Sequence, residues 1–324
     1  MYIQNAEYGK NQWWRFPLML IALFFGASLL FGFLTVPYES LKHAIELFGK
    51  EQLSSAQIEA EGVSLNVFLF LFLTIFACAL VVMAVIFPNI HLRSFHSLVN
   101  NEVPFRFGRF FFGFALMLVL NGVFEAWDFW AHPQDFVWQF DPVKFLPLVL
   151  ISLSMLPMQT GFEEVLVRGY FAQSLFLLIR RPWVVILATS LIFGLMHNDN
   201  PEVKAFGFWQ MMPFYVLPGL LWGIVSNMDE GLELTMGLHF GVNFFNALFA
   251  TYDQSALQTY ALFSLKNIEI SWINYVWELV VFAVVLASSA WLFSWSDWGK
   301  LLRLAPKRVF TPEVIVEEDN DEEE

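Results

Sequence analysis

Apolar runs the length of a membrane crossing, separated by short polar connectors, dominate the chain. A crossing helix needs about 20 apolar residues, each rising about 1.5 Å. Eight stretches read as such spans: residues 17–36, 63–87, 107–124, 145–179, 183–197, 208–225, 232–250 and 272–292. The first is long for a signal-peptide core and no small-residue cleavage site follows it, so it reads as a retained span. The fourth, about 35 residues, is too long for one straight crossing. Pro157 predicts a kink there, or a helix end projecting into the cytoplasm. Residues 37–62 carry mixed charge and read as a short amphipathic segment. Residues 198–210, with Asp199, Pro201, Glu202 and Lys204, read as a loop. The expected fold is all-α, a polytopic transmembrane helix bundle of about eight spans.

Loop charge orients that bundle. With the N-terminus inside, eleven bases fall on the inner side: Lys10, Arg15, Arg93, Arg106, Arg109, Arg180, Arg181, Lys300, Arg303, Lys307 and Arg308. Five fall outside: Lys42, Lys50, Lys144, Lys204 and Lys266. This follows the positive-inside rule and puts both termini in the cytoplasm. Trp13, Trp14, Trp127, Trp130, Trp272 and Trp295 sit near span ends, where amphipathic rings favour the interface. Composition agrees: 57% of residues are hydrophobic and 15% charged, against about 25% charged in soluble domains. A disordered chain, a disulfide scaffold and a soluble enzyme are thereby excluded. The net charge of −13 arises largely from residues 313–324, which hold carboxylates and no base. Such a block reads as a solvated end. The single cysteine, Cys78, lies in an apolar run and reads as a small buried hydrophobe. No repeat and no nucleic-acid motif is apparent.

The informative residues are polar ones inside spans. An ionisable group at mid-bilayer costs about 2.5–3.5 kcal/mol on insertion scales, yet the fourth span carries Glu163, Glu164 and Arg168. Glu164 and Arg168 are four apart and share a helix face, so they can pair. Glu163 lies about 100° around the helix and lacks that partner. His197 ends the fifth span. His239 and Asn243 share a face of the seventh, where Gly237 and Gly241 permit close helix approach, as Gly219 and Gly223 do in the sixth. Counting from the turn at Arg180 and Arg181, Glu163 and His197 both lie roughly 24–27 Å up. His239 lies only about 13 Å from the turn at Asp229 and Glu230, so it joins them only if that turn is recessed by about 10 Å. A glutamate can take a proton from water, a histidine can orient that water or protonate a leaving amine, and imidazole and amide N–H groups can stabilise an oxyanion. The same Glu and His side chains could instead hold Zn²⁺.

At these positions the chain resembles a known family. EEVLVR from Glu163 has the form EExxxR, FGLMH from Phe193 the form FxxxH, and HFGVN from His239 the form HxxxN. The ordered trio is similar to the signature of the CAAX prenyl protease and bacteriocin-processing (CPBP, or Abi) family of intramembrane proteases. The resemblance covers about residues 145–250, with no departure at the key positions. It implies an all-helical fold in which Glu163 activates water with help from His197, His239 and Asn243 hold the oxyanion, and Glu164, Arg168 and Phe193 support the site. The family is described both as glutamate proteases and as metalloproteases. The cofactor is therefore either none or a divalent metal such as Zn, whose ligands would be Glu163, His197 and His239. The expected organisation is three N-terminal helices (1–144), a catalytic helical core (145–250), a C-terminal helix with a basic juxtamembrane segment (251–310) and an acidic disordered tail (311–324).

The expected function is an intramembrane endopeptidase acting on a membrane-associated protein or peptide within the lipid bilayer, with no nucleic-acid partner, in a bacterial inner membrane. The alternative is a non-catalytic relative acting in self-immunity or as a scaffold or peptide binder. A proton-coupled transporter ranks third, because paired repeats of broken helices are lacking. Taken alone, His197 reads as an interfacial histidine, and His239 with Asn243 as interhelical glue. His91 and His96 read as solvated residues of a basic loop, and His43 and His132 as ordinary surface residues. Glu125 and Asp128 read as an interfacial boundary.

Overall fold

The computed structural model describes residues 1–48, 53–101 and 104–305. The acidic tail, with the expectation attached to it, lies outside the described residues, as do Lys50, Lys307 and Arg308. Among the described residues nearly all regular structure is helical. The long apolar helices are α1 (Arg15–Thr35), α4 (Leu65–His91), α5 (Phe107–Ala131), α6 (Pro142–Glu164), α10 (Phe208–Met228) and α12 (Trp272–Leu292). The segment expected as amphipathic forms α2 (Glu39–Phe48) and α3 (Ser55–Ala60). Ser54 accepts from the backbone N–H of Gln57, whose amide reaches back to Ser54, a capping box that fixes where α3 starts. α2 buries Ala44 and Leu47 with Ile58 of α3.

Through a π-helical turn at Val165–Phe171, α6 continues into α7 (Ala172–Ile179), giving one element of 38 residues from Pro142 to Ile179. Among the described residues six elements are thus long and apolar enough to cross a membrane, by length and composition. The other two expected spans are shorter, at 15 residues in α8 (Pro182–Met196) and 17 in α11 (Glu233–Phe249). The expected loop at 198–210 contains a short helix, α9 (Pro201–Phe206), and the start of α10. Pro201 occupies the first helical turn of α9, where the missing N–H costs nothing. Three short strands complete the fold. β1 (Phe136–Trp138) pairs antiparallel with β3 (Phe263–Leu265), and β3 pairs parallel with β2 (Ala250–Thr251).

Outward faces are apolar. On α1, Phe24, Leu29 and Phe33 are all well exposed, the surface an integral membrane protein presents to lipid. The interior is closed by glycine-mediated contacts. Gly237 and Gly241 of α11 lie against the backbone of Phe110 and Phe114 in α5, and Gly223 of α10 lies against Ile186 in α8. Both predicted glycine pairs therefore serve close approach.

Many of the bases expected on the inner side gather at one end of the bundle. Arg180 pairs with Glu7 at 2.6 Å and its carbonyl accepts from Ala305 N–H. Lys300 pairs with Glu230 at 2.6 Å. Arg106 and Arg109 reach Asp229 at 3.1 and 3.4 Å. Burial pushes the Asp229 carboxyl up, and the two guanidiniums oppose that shift. The 229–231 turn is roofed by other segments: Leu232 N–H donates to Val99, Asn100 bridges Gly231, and Asn100 Nδ2 donates to Glu233 at 2.6 Å. Asp229 is 5% exposed although it belongs to a turn.

His91 departs from expectation. It is buried, stacked on Phe87 and placed between the Lys10 carbonyl and the Tyr170 hydroxyl. It ends α4, and the N-terminal segment folds over it with Lys10 N–H donating to its carbonyl, which linear charge did not reveal.

Candidate active site

The last turn of α6 carries both acids, and the π-turn that follows carries Arg168. Buried in the bundle, Glu164 accepts from Arg168 Nη1 at 3.1 Å, the pairing predicted from their spacing. Arg168 Nη2 donates to the Gly219 carbonyl at 3.2 Å, and its guanidinium lies 4.3 Å from the Phe193 ring centre. A π-turn is rare and is found disproportionately at functional sites. Tyr2 from the N-terminal segment donates its hydroxyl to the Arg168 carbonyl inside this turn. The backbone that aims Arg168 is thereby fixed from outside its own helix.

Glu163 faces elsewhere. Its Oε1 accepts from Gln159 Nε2 at 2.6 Å. Among the described residues Oε2 accepts no hydrogen bond, and it lies 3.5 Å from His239 Nε2. His239 Nδ1 is 3.0 Å from Glu164 Oε1. The imidazole therefore bridges both glutamates, with Nδ1 on the structural acid and Nε2 on the other. It stacks on Trp222 at 4.4 Å between ring centres. Asn243 Nδ2 donates to Gln159 Oε1 at 2.9 Å, so Asn243 meets Glu163 through Gln159. A primary amide carries a second N–H, which this bond does not use. His197 Nδ1 faces the Phe193 carbonyl at 2.7 Å, and its ring stacks on Tyr215 at 4.5 Å. A carbonyl only accepts, so Nδ1 carries the proton and the neutral ring keeps its lone pair at Nε2.

All four expected catalytic residues line one cavity of about 520 Å³, together with Gln159, Phe193, Tyr215 and Trp222. Glu164 and Arg168 lie behind it. The geometry does not fit the suggested metal set of Glu163, His197 and His239. Both His239 nitrogens face carboxylates, and among the described residues no group of three His, Cys, Asp or Glu side chains is placed to hold a metal ion.

Sequence reasoning missed Gln159, Tyr215 and Trp222, which carry no charge signal. It also missed Glu278, an acid inside the apolar run of α12 that the argument used for Glu163 would have found. Glu125, expected at the interface, lines the cavity with Glu202 and Glu278. Burial pushes the Glu202 carboxyl up from its ordinary range, and the Ala256 backbone N–H donating to Oε1 at 2.7 Å opposes that shift.

Fold and site together define an integral membrane helix bundle with a buried Glu–His centre opening into an internal cavity. Residues 144–245 match the family model described as Type II CAAX prenyl endopeptidase Rce1-like, so the resemblance drawn from the three motifs holds over that segment. The uncharacterized protein YyaK of Bacillus subtilis is 28% identical over 164 residues, 50% of this chain and 54% of that protein. The chain thus spans about half the length of this curated relative. No solved structure matches it.

Proposed function

We propose that the protein is an intramembrane endopeptidase of glutamate type, acting on a membrane-associated protein or peptide in the cell membrane of a bacterium, with both termini in the cytoplasm. The observation that carries this reading is Glu163 Oε2, a buried carboxylate oxygen without a hydrogen-bond partner, facing His239 in a cavity large enough for a peptide segment. Glu163 takes a proton from a water held between it and His197 Nε2. The water oxygen bonds to the scissile carbonyl carbon. Asn243, through its second amide N–H, and His239 Nε2–H stabilise the resulting oxyanion. The proton on Glu163 passes to the leaving nitrogen as the C–N bond breaks, giving a new carboxylate and a new amine. Glu164 and Arg168 hold His239 in place.

The test is terminal-peptide proteomics on membranes of otherwise identical cells making the parent protein or Glu163→Gln at matched abundance. New termini only with the parent support the reading. Identical termini in both, with the parent's phenotype retained by Glu163→Gln, replace it with a peptide-binding or immunity role.

A further inference from the structure

The segment Tyr2–Glu7 is a short 3₁₀ helix, and its residues are not among those lining the cavity. It is nonetheless packed as core: Tyr2 and Ile3 are at most 1% exposed, and Ala6 is buried. Its polar groups reach the two elements that carry the site. The Tyr2 hydroxyl donates to the Arg168 carbonyl in the π-turn, and the Tyr2 backbone N–H donates to Glu230 in the turn before α11. Asn5 Nδ2 donates to the Asn100 carbonyl at 2.8 Å, and Asn100 Nδ2 donates to Glu233 Oε1 at 2.6 Å in the first turn of α11. Asn5 Nδ2 also reaches the Ser97 carbonyl at 3.2 Å, where Gln173 of α7 converges at 2.9 Å. One stretch of chain therefore holds both sides of one contact. Glu164 and Arg168 stand on the π-turn side. His239 stands on α11, about 9 Å along the axis from Glu233. The bond that joins the sides is His239 Nδ1 to Glu164 Oε1, at 3.0 Å. A sliding of α11 by a fraction of an ångström takes such a bond out of range. Packing alone does not account for the polar groups of the segment. A buried hydroxyl and a buried amide carry desolvation costs that apolar side chains of the same volume avoid.

We propose that Tyr2 and Asn5 are positioning residues, and that their segment sets α11 against the π-turn and with it the bond between His239 and Glu164. The proposal rests on the endopeptidase reading for its kinetic readout alone. The full chain is purified in neutral detergent as the parent, Tyr2→Phe, Asn5→Leu and Ile3→Val. The first two variants keep the packed volume and remove one tie each. Ile3→Val trims the packing and leaves both ties. Two quantities are read: kcat and KM on a peptide identified by the proteomics, and the ring-nitrogen resonances of His239 in protein made with isotope-labelled histidine, assigned with His239→Gln. Tyr2→Phe and Asn5→Leu should each lower kcat about three- to tenfold, as loss of one hydrogen bond allows, with KM held within about twofold. Each should also shift the His239 Nδ1 resonance. Ile3→Val should lower the melting temperature and leave kcat and the resonance as in the parent. Parental kcat and unmoved His239 resonances in both Tyr2→Phe and Asn5→Leu overturn the proposal. So does an equal fall in kcat with Ile3→Val, which makes the segment a stability element only. If the parent cleaves no peptide, the endopeptidase reading fails and the resonances decide alone: a shift in Tyr2→Phe and Asn5→Leu without one in Ile3→Val supports the positioning role, and no shift overturns it.

Discussion

Gly237→Ala tests whether glycine packing places the site. A Cβ at Gly237 falls 1.9 Å from the Phe110 carbonyl oxygen and 2.7 Å from its carbon. Ordinary contact begins at 3.4 Å, so α11 and α5 must part by about 1.5 Å or the backbone of α5 must bend. The obstacle is backbone, and no rotamer change relieves it. Overpacking of this kind costs about 1–3 kcal/mol, offset by at most about 1 kcal/mol from the better helix propensity of alanine. His239 lies two residues along α11, and a misplacement of about 1 Å can reduce turnover about 100-fold. The variant should therefore lose about 1–2 kcal/mol of stability and about 100-fold in kcat/KM on a peptide identified by proteomics. Gly32→Ala in α1, where a Cβ meets nothing within 4 Å, is the control and should retain activity with equal or higher thermal stability. Gly237→Ala with parental stability and rate would refute the claim that this approach positions His239.

The remaining predictions concern the polar network. Arg168→Met leaves the buried Glu164 without its guanidinium and, among the described residues, held only by His239 Nδ1, and should cost up to about 3–5 kcal/mol; adding Glu164→Gln should recover at least about 1 kcal/mol of the summed losses in a thermal double-mutant cycle, and strict additivity would contradict the pairing. Glu164→Gln alone should lower kcat with little change in KM and shift the pH–rate profile, because Glu164 acts through His239; a rise in KM alone would show a binding role instead. Gln159→Leu removes the amide joining Asn243 to Glu163 and should reduce kcat while the protein stays folded, as judged by circular dichroism. The Tyr260 hydroxyl at 2.8 Å, then the Lys144 ammonium at 3.1 Å, hold the Glu59 carboxyl below its ordinary value of 4.5. The folded state binds that proton less tightly, so the contribution is present above about pH 4.5 and fades as pH falls below it. The difference in melting temperature between the parent and Glu59→Gln should therefore close on acidification.

Spacing made half of the site legible. Glu164 and Arg168 at four residues predicted a pair, and Glu163, offset around the helix, was correctly set apart from it. Helix rise put Glu163 and His197 together, and both line the cavity. It did not put His239 with them; that residue enters the cavity on α11, whose start is held by Val99 and Asn100, long-range contacts with no local signal. His91 failed for the same reason: charge in a loop predicts solvent only when nothing folds over the loop, and Tyr2 to Lys10 do. Gln159, Tyr215 and Trp222 escaped notice because an amide or aromatic ring in a helix carries a smaller penalty than a charge and, unlike Asn243, none belongs to one of the three motifs. The lengths of α8 and α11, 15 and 17 residues, set them apart from the six longer apolar elements, so the count of eight stays an expectation.

The arrangement also explains why two adjacent glutamates are used. Neighbouring residues on a helix point about 100° apart, so one turn can present one acid to the bundle interior and the other to the cavity. Two donors, Arg168 Nη1 and His239 Nδ1, converge on Glu164 Oε1. With Nδ1 engaged there, the other imidazole nitrogen faces Glu163 Oε2 at 3.5 Å. Had both acids faced the cavity, their like charges would have raised one affinity for protons at the expense of the other. Had both faced Arg168, no carboxylate would have remained to act on water. The buried ion pair is thus less a source of stability, since such pairs are costly to desolvate, than a means of fixing which nitrogen of His239 the cavity meets.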